Sequence, residues 1–257
     1  MTNYEKILNM WNQFNIKTSE ELDARLDSFR VLFAYNSGKI ENPEITYYDT
    51  REVFENGKVA GFTGDPITAV EIINQKRAYG FLLTKIIEKE PVTTELIKTI
   101  HSLLTMATYD DRRFFTLNER PGEFKKTDFV VGRNEVGSMP ENVSEDIAEL
   151  LDEISKTTPQ TAPFNILKTA AYFHARFENI HPFADGNGRT GRTLMNYFLL
   201  ISNHPPLIVY EEDRIKYYTA LEAFDTEEDL NSLIEFFQSQ LEKTWEKTLQ
   251  RRKEIFT

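Results

Sequence analysis

The 257-residue sequence predicts an all-α protein with one small β-hairpin. Apolar residues recur at three- and four-residue spacing over most of the chain, which is the periodicity of helices with one buried face. A single stretch, Lys126–Gly132, is instead rich in β-forming residues, and the segment from Gly132 to Gly137 that follows is turn-like. We therefore expect a helical bundle that carries one short hairpin.

Capping residues mark the first predicted helices. Thr18 and Glu21 form a capping box ahead of an apolar face. Asp65 is a typical N-cap because Pro66 occupies the first helical position after it, and Thr93 can cap a third helix. The apolar residues at helical spacing after these caps are Leu22, Leu26, Phe29, Phe33, Val70, Ile73, Leu96, Ile97, Ile100, Leu103 and Leu104.

Helical patterns continue through the second half of the chain. We expect Ser144 to open one helix and Pro163 to precede a long one. Further helices are predicted over residues 188–201, over residues 214–224, and from residue 230 onward. The stretch Asn56–Gly64, which contains three glycines, is the best candidate for a boundary between parts of the chain.

Composition excludes several classes of protein. Cysteine is absent, so disulfides, thiolate zinc sites and a cysteine nucleophile are excluded. A net charge of −11 argues against a nucleic-acid partner. The N-terminus has no basic segment followed by an apolar core, and no apolar run is long enough to span a bilayer. We therefore expect a cytoplasmic protein with no membrane partner.

The segment His181–Arg192 carries the most chemical information. A glycine-rich turn that opens a helix presents unpaired N–H groups and a partial positive charge, which together suit a phosphate. Arg189 and Arg192 lie three positions apart, so their guanidinium groups project to one side of the helix, where they can bind phosphate oxygens. Asp185 offers a hard oxygen ligand for Mg²⁺, and His181 can accept a proton near neutral pH.

Each of these features also has a common structural explanation. Glycine turns are frequent, and arginines three apart usually face solvent or local acids. Their occurrence together in one ordered string favours the functional interpretation. A zinc-hydrolase site is a weaker interpretation, because His101, His174 and His204 lie in separate segments. On the apolar face of its helix, His174 is better explained as a core histidine.

The string His-Pro-Phe-Ala-Asp-Gly-Asn-Gly-Arg-Thr-Gly-Arg resembles the signature loop of the Fic family, His-Pro-Phe-x-Asp/Glu-Gly-Asn-Gly/Lys-Arg-x-x-Arg, at every fixed position. The resemblance extends from about residue 92 to residue 224. It includes the helix leading into the loop (171–180), the flap (122–132) and a Tyr-Tyr-x-x-Leu segment (217–221). It implies a Fic-fold core over residues 91–225, preceded by an N-terminal helical region (1–90) and followed by a C-terminal helical extension (226–257).

Fic proteins typically transfer AMP from ATP to a hydroxyl group of a target protein, so the resemblance implies a protein adenylyltransferase. By position, His181 is the catalytic base and Asp185 holds Mg²⁺ between the α- and β-phosphates. Asn187 contacts the α-phosphate, Arg189 the β-phosphate and Arg192 the γ-phosphate. The implied ATP-binding residues are Asp185, Gly186, Asn187, Gly188, Arg189, Thr190, Gly191, Arg192, Tyr217 and Tyr218.

The flap-like segment contains Phe129, Val130, Val131 and Gly132, which the resemblance assigns to target binding. An exposed strand edge can hold an extended peptide through backbone hydrogen bonds. The target's modified residue is a Ser, Thr or Tyr, and self-modification and a homo-oligomer both remain open. Lys125 stands where relatives often have arginine. Asp225 stands where they often have a neutral polar residue, and Gly188 resembles the AMP-transferring majority rather than the Doc-type kinases.

A second resemblance lies near the N-terminus, where Ser37-Gly38-Lys39-Ile40-Glu41-Asn42 is similar to the inhibitory pattern Ser/Thr-x-x-x-Glu-Gly/Asn of many Fic proteins. It implies that Glu41 pairs with Arg192 in place of the γ-phosphate and so inhibits the enzyme. Two alternatives stay open. The same site could remove AMP from a target, with Glu41 orienting water, or the protein could sense nucleotides without turnover, although the intact His181 argues against the latter.

Overall fold

The computed structural model describes residues 1–58, 61–130, 136–156 and 162–255. Within these residues the chain forms eleven α-helices and no β-strand. They are α1 Asn3–Gln13, α2 Ser19–Arg25, α3 Asp27–Glu41, α4 Tyr47–Asn56, α5 Pro66–Glu88, α6 Thr94–Thr105, α7 Val143–Ser155, α8 Pro163–Ile180, α9 Asn187–Ile201, α10 Arg214–Glu227 and α11 Asn231–Ile255. The prediction of a helical protein is confirmed.

The predicted helix caps form the expected hydrogen bonds. The Thr18 hydroxyl accepts from the backbone N–H of Glu21 at 3.2 Å, and the Glu21 carboxylate accepts in return from the Thr18 N–H at 3.3 Å. The Asp65 carboxylate caps α5, and the Thr93 hydroxyl caps α6. Each cap satisfies donors that the first helical turn leaves unpaired, which fixes where the helix begins.

Two details differ from the sequence prediction. Helix α7 begins at Val143, one residue before Ser144, and no side chain caps it. The predicted hairpin is not shown: Lys126–Val130 is non-helical chain without a strand, and Val131 and Gly132 lie outside the described residues. The candidate boundary at residues 56–64 falls between α4 and α5, and the division of the chain at residues 90 and 225 stays a prediction.

Helix α9 occupies the centre of the fold. It packs against α8 on one side and against α3, α5 and α6 on the other. Nearly all of its residues are buried, including the charged Arg189 and Arg192. Because a buried charge is costly unless it is paired, the helices around α9 must supply partners for these two arginines.

None of the described helices combines the length and the apolar character that crossing a membrane would require.

A buried histidine fixes the loop between α8 and α9. The ring of His101 stacks on that of Phe183, with centroids 3.6 Å apart and planes at 3°. Its Nδ1 accepts from the Gly122 N–H at 2.8 Å, so its Nε2 carries the proton and donates to the Asp185 carbonyl oxygen at 2.9 Å. Burial lowers the pKa of His101 to about 3, which keeps the ring neutral.

Two further histidines are core residues, as predicted for His174. Its Nε2 lies 2.6 Å from the Tyr217 hydroxyl, and burial lowers its pKa to about 3. His204 Nε2 lies 3.0 Å from the Tyr4 hydroxyl, which connects α1 to the chain after α9, and burial lowers the pKa of His204 to about 4. Both histidines are buried and lie within hydrogen-bond distance of a tyrosine hydroxyl.

These histidines predict that the fold is destabilised by mild acid. The pKa values of His101, His174 and His204 are lower in the folded than in the unfolded state, so unfolding takes up protons once the pH falls below about 6.5. Burial raises the pKa of Glu178 to about 8, which acts in the opposite direction and offsets part of the effect. His181 acts in the same direction as the other three histidines, since burial lowers its pKa to about 4. With all four histidines we expect the free energy of unfolding in urea to fall by about 5 kcal/mol between pH 7 and pH 5.

The variant His204→Gln is the control for this measurement, because it removes one titrating group and keeps a hydrogen-bonding side chain. It should show a weaker pH dependence than the wild type. Equal free energies of unfolding at pH 7 and pH 5 in the wild type would contradict the prediction.

Candidate functional site

The loop between α8 and α9 reverses the chain through two left-handed residues. His181 follows α8 with φ of 48° and its N–H donates to the Phe177 carbonyl at 3.0 Å. Gly186 precedes α9 with φ of 75°, a conformation that favours glycine. A Cβ at Gly186 would lie 2.4 Å from the Thr105 side chain, so the loop has no room for a larger residue there.

Side chains of α9 hold this loop in place. The Asn187 amide donates to the Phe183 carbonyl at 2.8 Å and accepts from the Phe183 N–H at 3.0 Å. The Thr190 hydroxyl donates to the Gly186 carbonyl at 2.8 Å, and Gly191 packs against α8. In this structure Asn187, Thr190 and Gly191 therefore shape the loop, and the contact that the resemblance implies between Asn187 and a phosphate stays a prediction.

His181 is held as a neutral imidazole. Burial and the nearby Lys125 ammonium group lower its pKa to about 4. Its Nδ1 is buried and has no hydrogen-bond partner in the described part of the chain. At neutral pH the ring is therefore free to accept a proton, which a base must do.

Arg192 is enclosed by α3. Its Nε donates to the Ser37 hydroxyl at 3.1 Å, and its Nη2 donates to the Ser37 carbonyl at 2.9 Å and to Glu41 Oε1 at 2.7 Å. The side chain of Arg192 is 1% exposed and that of Glu41 is 35% exposed. The ion pair therefore has one desolvated member and one that solvent still reaches.

Gly188 makes room for this ion pair. A Cβ at Gly188 would lie 2.3 Å from Glu41 Oε1 and 3.0 Å from Arg192 Nη1. Since real Cβ atoms do not approach oxygen so closely, a side chain at position 188 would displace the Glu41 carboxylate from its present position beside Arg192. The structure thus brings together two distant parts of the sequence, Ser37 and Glu41 from α3 with Gly188 and Arg192 from α9.

Arg189 has an acid partner that sequence reasoning missed. Its Nη1 donates to Glu71 Oε1 at 2.7 Å, and Glu71 Oε2 accepts from the Asn42 amide at 2.8 Å. The signal in the sequence is a row of polar residues at helical spacing on the buried face of α5, namely Thr68, Glu71, Asn74 and Gln75. Polar residues on a buried helix face require partners, which marks such a row as a candidate for a site.

Asp185 is partly exposed at the mouth of the loop. Its Oδ1 accepts from the Gly186 N–H at 2.7 Å, and its Oδ2 lies 3.9 Å from Nη1 of Arg113, a second residue that sequence reasoning missed. Across the described ranges, no group of three or more potential ligands could hold a metal ion. A single carboxylate still fits Mg²⁺, which is usually held by one or two carboxylates together with substrate phosphates and water.

The two tyrosines of α10 have different environments. Tyr217 is buried, and the Arg192 guanidinium lies 5.9 Å from the centre of its ring. Tyr218 is 46% exposed, and its ring centroid lies 5.3 Å from that of Tyr217. Tyr217 therefore belongs to the wall behind Arg192, and Tyr218 is the ring that an incoming ligand could reach.

The start of the flap-like segment is anchored beside His181. Lys125 donates its backbone N–H to the Pro182 carbonyl at 2.9 Å and its ammonium to the Phe129 carbonyl at 2.7 Å. The buried Glu119 carboxylate accepts from the N–H groups of Lys126 and Thr127 at 3.0 and 2.9 Å. Phe129 is half-buried and Val130 is exposed, so both lie where a bound peptide could meet them.

Known proteins are similar to this chain in sequence. Residues 91–199 match the family model described as Fic/DOC family. Curated relatives include the protein adenylyltransferase Fic of Drosophila persimilis, 29% identical over 213 residues, and the protein adenylyltransferase fic-1 of Caenorhabditis elegans, 30% identical over 215 residues. Each alignment covers 82% of this chain but only 39% and 40% of those proteins, so the chain spans about two fifths of their length.

Solved structures share the fold. A Fic domain containing signaling protein from Bacteroides thetaiotaomicron superimposes with a TM-score of 0.80 at 23% identity, covering 98% of this chain and 97% of that one. Fic-1 from C. elegans superimposes with a TM-score of 0.77 at 22% identity, covering 99% of this chain and 72% of that one. These likenesses show the fold. The family match over residues 91–199 confirms the resemblance that residues 181–192 carry: the chain contains a Fic/DOC family domain.

Proposed function

We propose that this protein is an autoinhibited protein adenylyltransferase that transfers AMP from Mg-ATP to a Ser, Thr or Tyr hydroxyl of a target protein or of itself. The observation that carries the proposal is the joint placement of a neutral His181, the Asp185 carboxylate and two buried arginines on the loop and first turns of α9. The names of the relatives support the same reaction.

The proposed reaction needs positioning and charge neutralisation more than covalent help from the protein. Arg189 and Arg192 would bind the β- and γ-phosphates, and Asp185 would hold Mg²⁺, which neutralises phosphate charge when bound. His181 would take the proton of the target hydroxyl as its oxygen attacks the α-phosphorus. The bond from the α-phosphorus to the bridging oxygen would break, and pyrophosphate would leave.

The proposed inhibition is electrostatic and steric. Glu41 occupies the Nε–Nη2 side of Arg192 together with Ser37, so that side is not available to a phosphate. A carboxylate next to Arg192 would also repel the γ-phosphate. ATP could then bind only in a pose that is unsuitable for attack on the α-phosphorus.

Phe129–Gly132 would form the edge along which the target backbone binds, as the family's flap does. The support for this is Lys125, whose ammonium donates to the Phe129 carbonyl and whose backbone N–H donates to the carbonyl of Pro182, the residue after His181. Backbone pairing requires little from the target's side chains.

Removal of the Glu41 carboxylate should activate the protein. We expect Glu41→Gly protein, incubated with Mg-ATP, to add AMP to itself or to proteins of a lysate, because Arg192 then becomes available to the γ-phosphate. Mass spectrometry of intact and digested protein measures the adduct. Glu149→Gly is the matched control, since it removes an exposed acid from a different helix, α7, and should leave the wild-type level unchanged.

No AMP on any protein in the Glu41→Gly reaction, with ATP binding intact by calorimetry, would overturn the proposed transferase and favour a nucleotide-sensing module.

Loss of the base should separate binding from chemistry. In the Glu41→Gly background we expect His181→Ala to reduce AMP transfer by at least about 100-fold, the usual contribution of a positioned base. ATP affinity measured by calorimetry should change little, because the imidazole contacts the hydroxyl rather than the phosphates. Transfer at an undiminished rate would remove His181 from the proposed role.

A further inference from the structure

The two arginines of α9 are partnered in different ways. On Arg192 the Nε and Nη2 groups are all engaged by α3. On Arg189 the hydrogen bond to Glu71 uses Nη1, and the buried Nε has no partner among the described residues. Arg192 is therefore held through three hydrogen bonds to α3, whereas the one side-chain partner of Arg189 among the described residues is Glu71.

Glu71 also holds the end of the inhibitory helix. Asn42 follows Glu41 directly and ends α3, and its amide Nδ2 donates to Glu71 Oε2 at 2.8 Å and to the Thr68 hydroxyl at 3.0 Å. The Glu71 side chain is 11% exposed and that of Arg189 is 5% exposed. Glu71, the partner of Arg189, is thus bonded to Asn42. Asn42 directly follows Glu41, which is the partner of Arg192.

A hydrogen bond to a buried, ionised carboxylate is stronger than one between neutral groups. Because Glu71 is held on its other oxygen by the Arg189 guanidinium at 2.7 Å, the Asn42 amide is bonded to an anchored carboxylate on α5. The last turn of α3 is also held by the Glu41–Arg192 ion pair at 2.7 Å and by the backbone bond from the Asn42 N–H to the Gly38 carbonyl at 2.8 Å.

We propose that Glu71 is a positioning residue for inhibition: through Asn42 it anchors the end of α3, and so keeps Glu41 on Arg192. This inference rests on the proposed function for its regulatory meaning. The anchor joins Arg189, Glu71 and Asn42 in one chain of hydrogen bonds, so Glu41 stays on Arg192 as long as the Asn42–Glu71 bond holds. Activation would therefore require an event that displaces the end of α3.

The test exchanges the two members of the amide–carboxylate pair. Asn42→Asp places a carboxylate against Glu71 but keeps the side-chain oxygen that accepts from the Glu44 N–H at 2.9 Å. We expect hydrogen exchange of the amides from residue 38 to residue 45 to accelerate at least about ten-fold, as for loss of one hydrogen bond to a charged group. The double variant Asn42→Asp/Glu71→Gln restores an amide–carboxylate bond of reversed polarity and should return exchange towards the wild-type rate.

Thr68→Val is the matched control. It removes the hydroxyl that is the other partner of the Asn42 amide, keeps a side chain of similar size at position 68, and leaves Glu71 unchanged. We expect its exchange to stay close to that of the wild type. Exchange in Asn42→Asp equal to that in the wild type would overturn the anchor, and so would a double variant that exchanges as fast as Asn42→Asp alone.

AMP transfer gives an independent measurement on the same proteins. Asn42→Asp should transfer AMP faster than the wild type with Glu41 still present, and the double variant should be slower than Asn42→Asp. If Glu41→Gly also transfers nothing, the proposed function fails, and the exchange measurements, which need no nucleotide, still decide the anchor. Rapid exchange in Asn42→Asp without increased transfer, in a protein whose Glu41→Gly form is active, would overturn the role in inhibition.

Discussion

The guanidinium group of Arg192 is the constraint on which the arrangement of the whole molecule depends. It lies almost completely buried at the centre of the helical bundle, on the helix that most of the other central helices contact. A buried charge is tolerated only with partners, and the partners come from α3, more than 150 residues earlier in the chain. The N-terminal helices are therefore part of the same packing unit as the loop, because they supply the charge that makes the buried arginine stable.

The same argument connects the packing to the proposed inhibition. Both arginines of α9 have carboxylate partners within the chain. Under the proposed function, a polyphosphate would have to compete with the Glu41 carboxylate for Arg192. In this protein the stability of the core and the proposed inhibition depend on the same ion pair, so removing Glu41 also removes a structural contact.

Local patterns in the sequence predicted most of the helices because caps act over three or four residues. Thr18, Asp65 and Thr93 each bond to a backbone N–H close by, so the sequence alone shows them. The loop could also be predicted, since its residues are contiguous. The pairing of Glu71 with Arg189 could not be predicted, because the two residues are 118 positions apart and nothing in the local sequence indicates which residue is the partner. The hairpin is a different case: the N–H groups of Lys126 and Thr127 bond to the buried Glu119 carboxylate and not to a neighbouring strand.

Gly188 has a consequence for how such chains diverge. The Glu41 carboxylate occupies the space that a side chain at position 188 would need, although the two residues are 147 positions apart in the sequence. In a related sequence with a side chain at position 188, the carboxylate of Glu41 would have to lie elsewhere. Glycine at 188 and glutamate at 41 should therefore be inherited together. Among related sequences, a chain with a larger residue in place of Gly188 would have to pair the arginine equivalent to Arg192 with some other group.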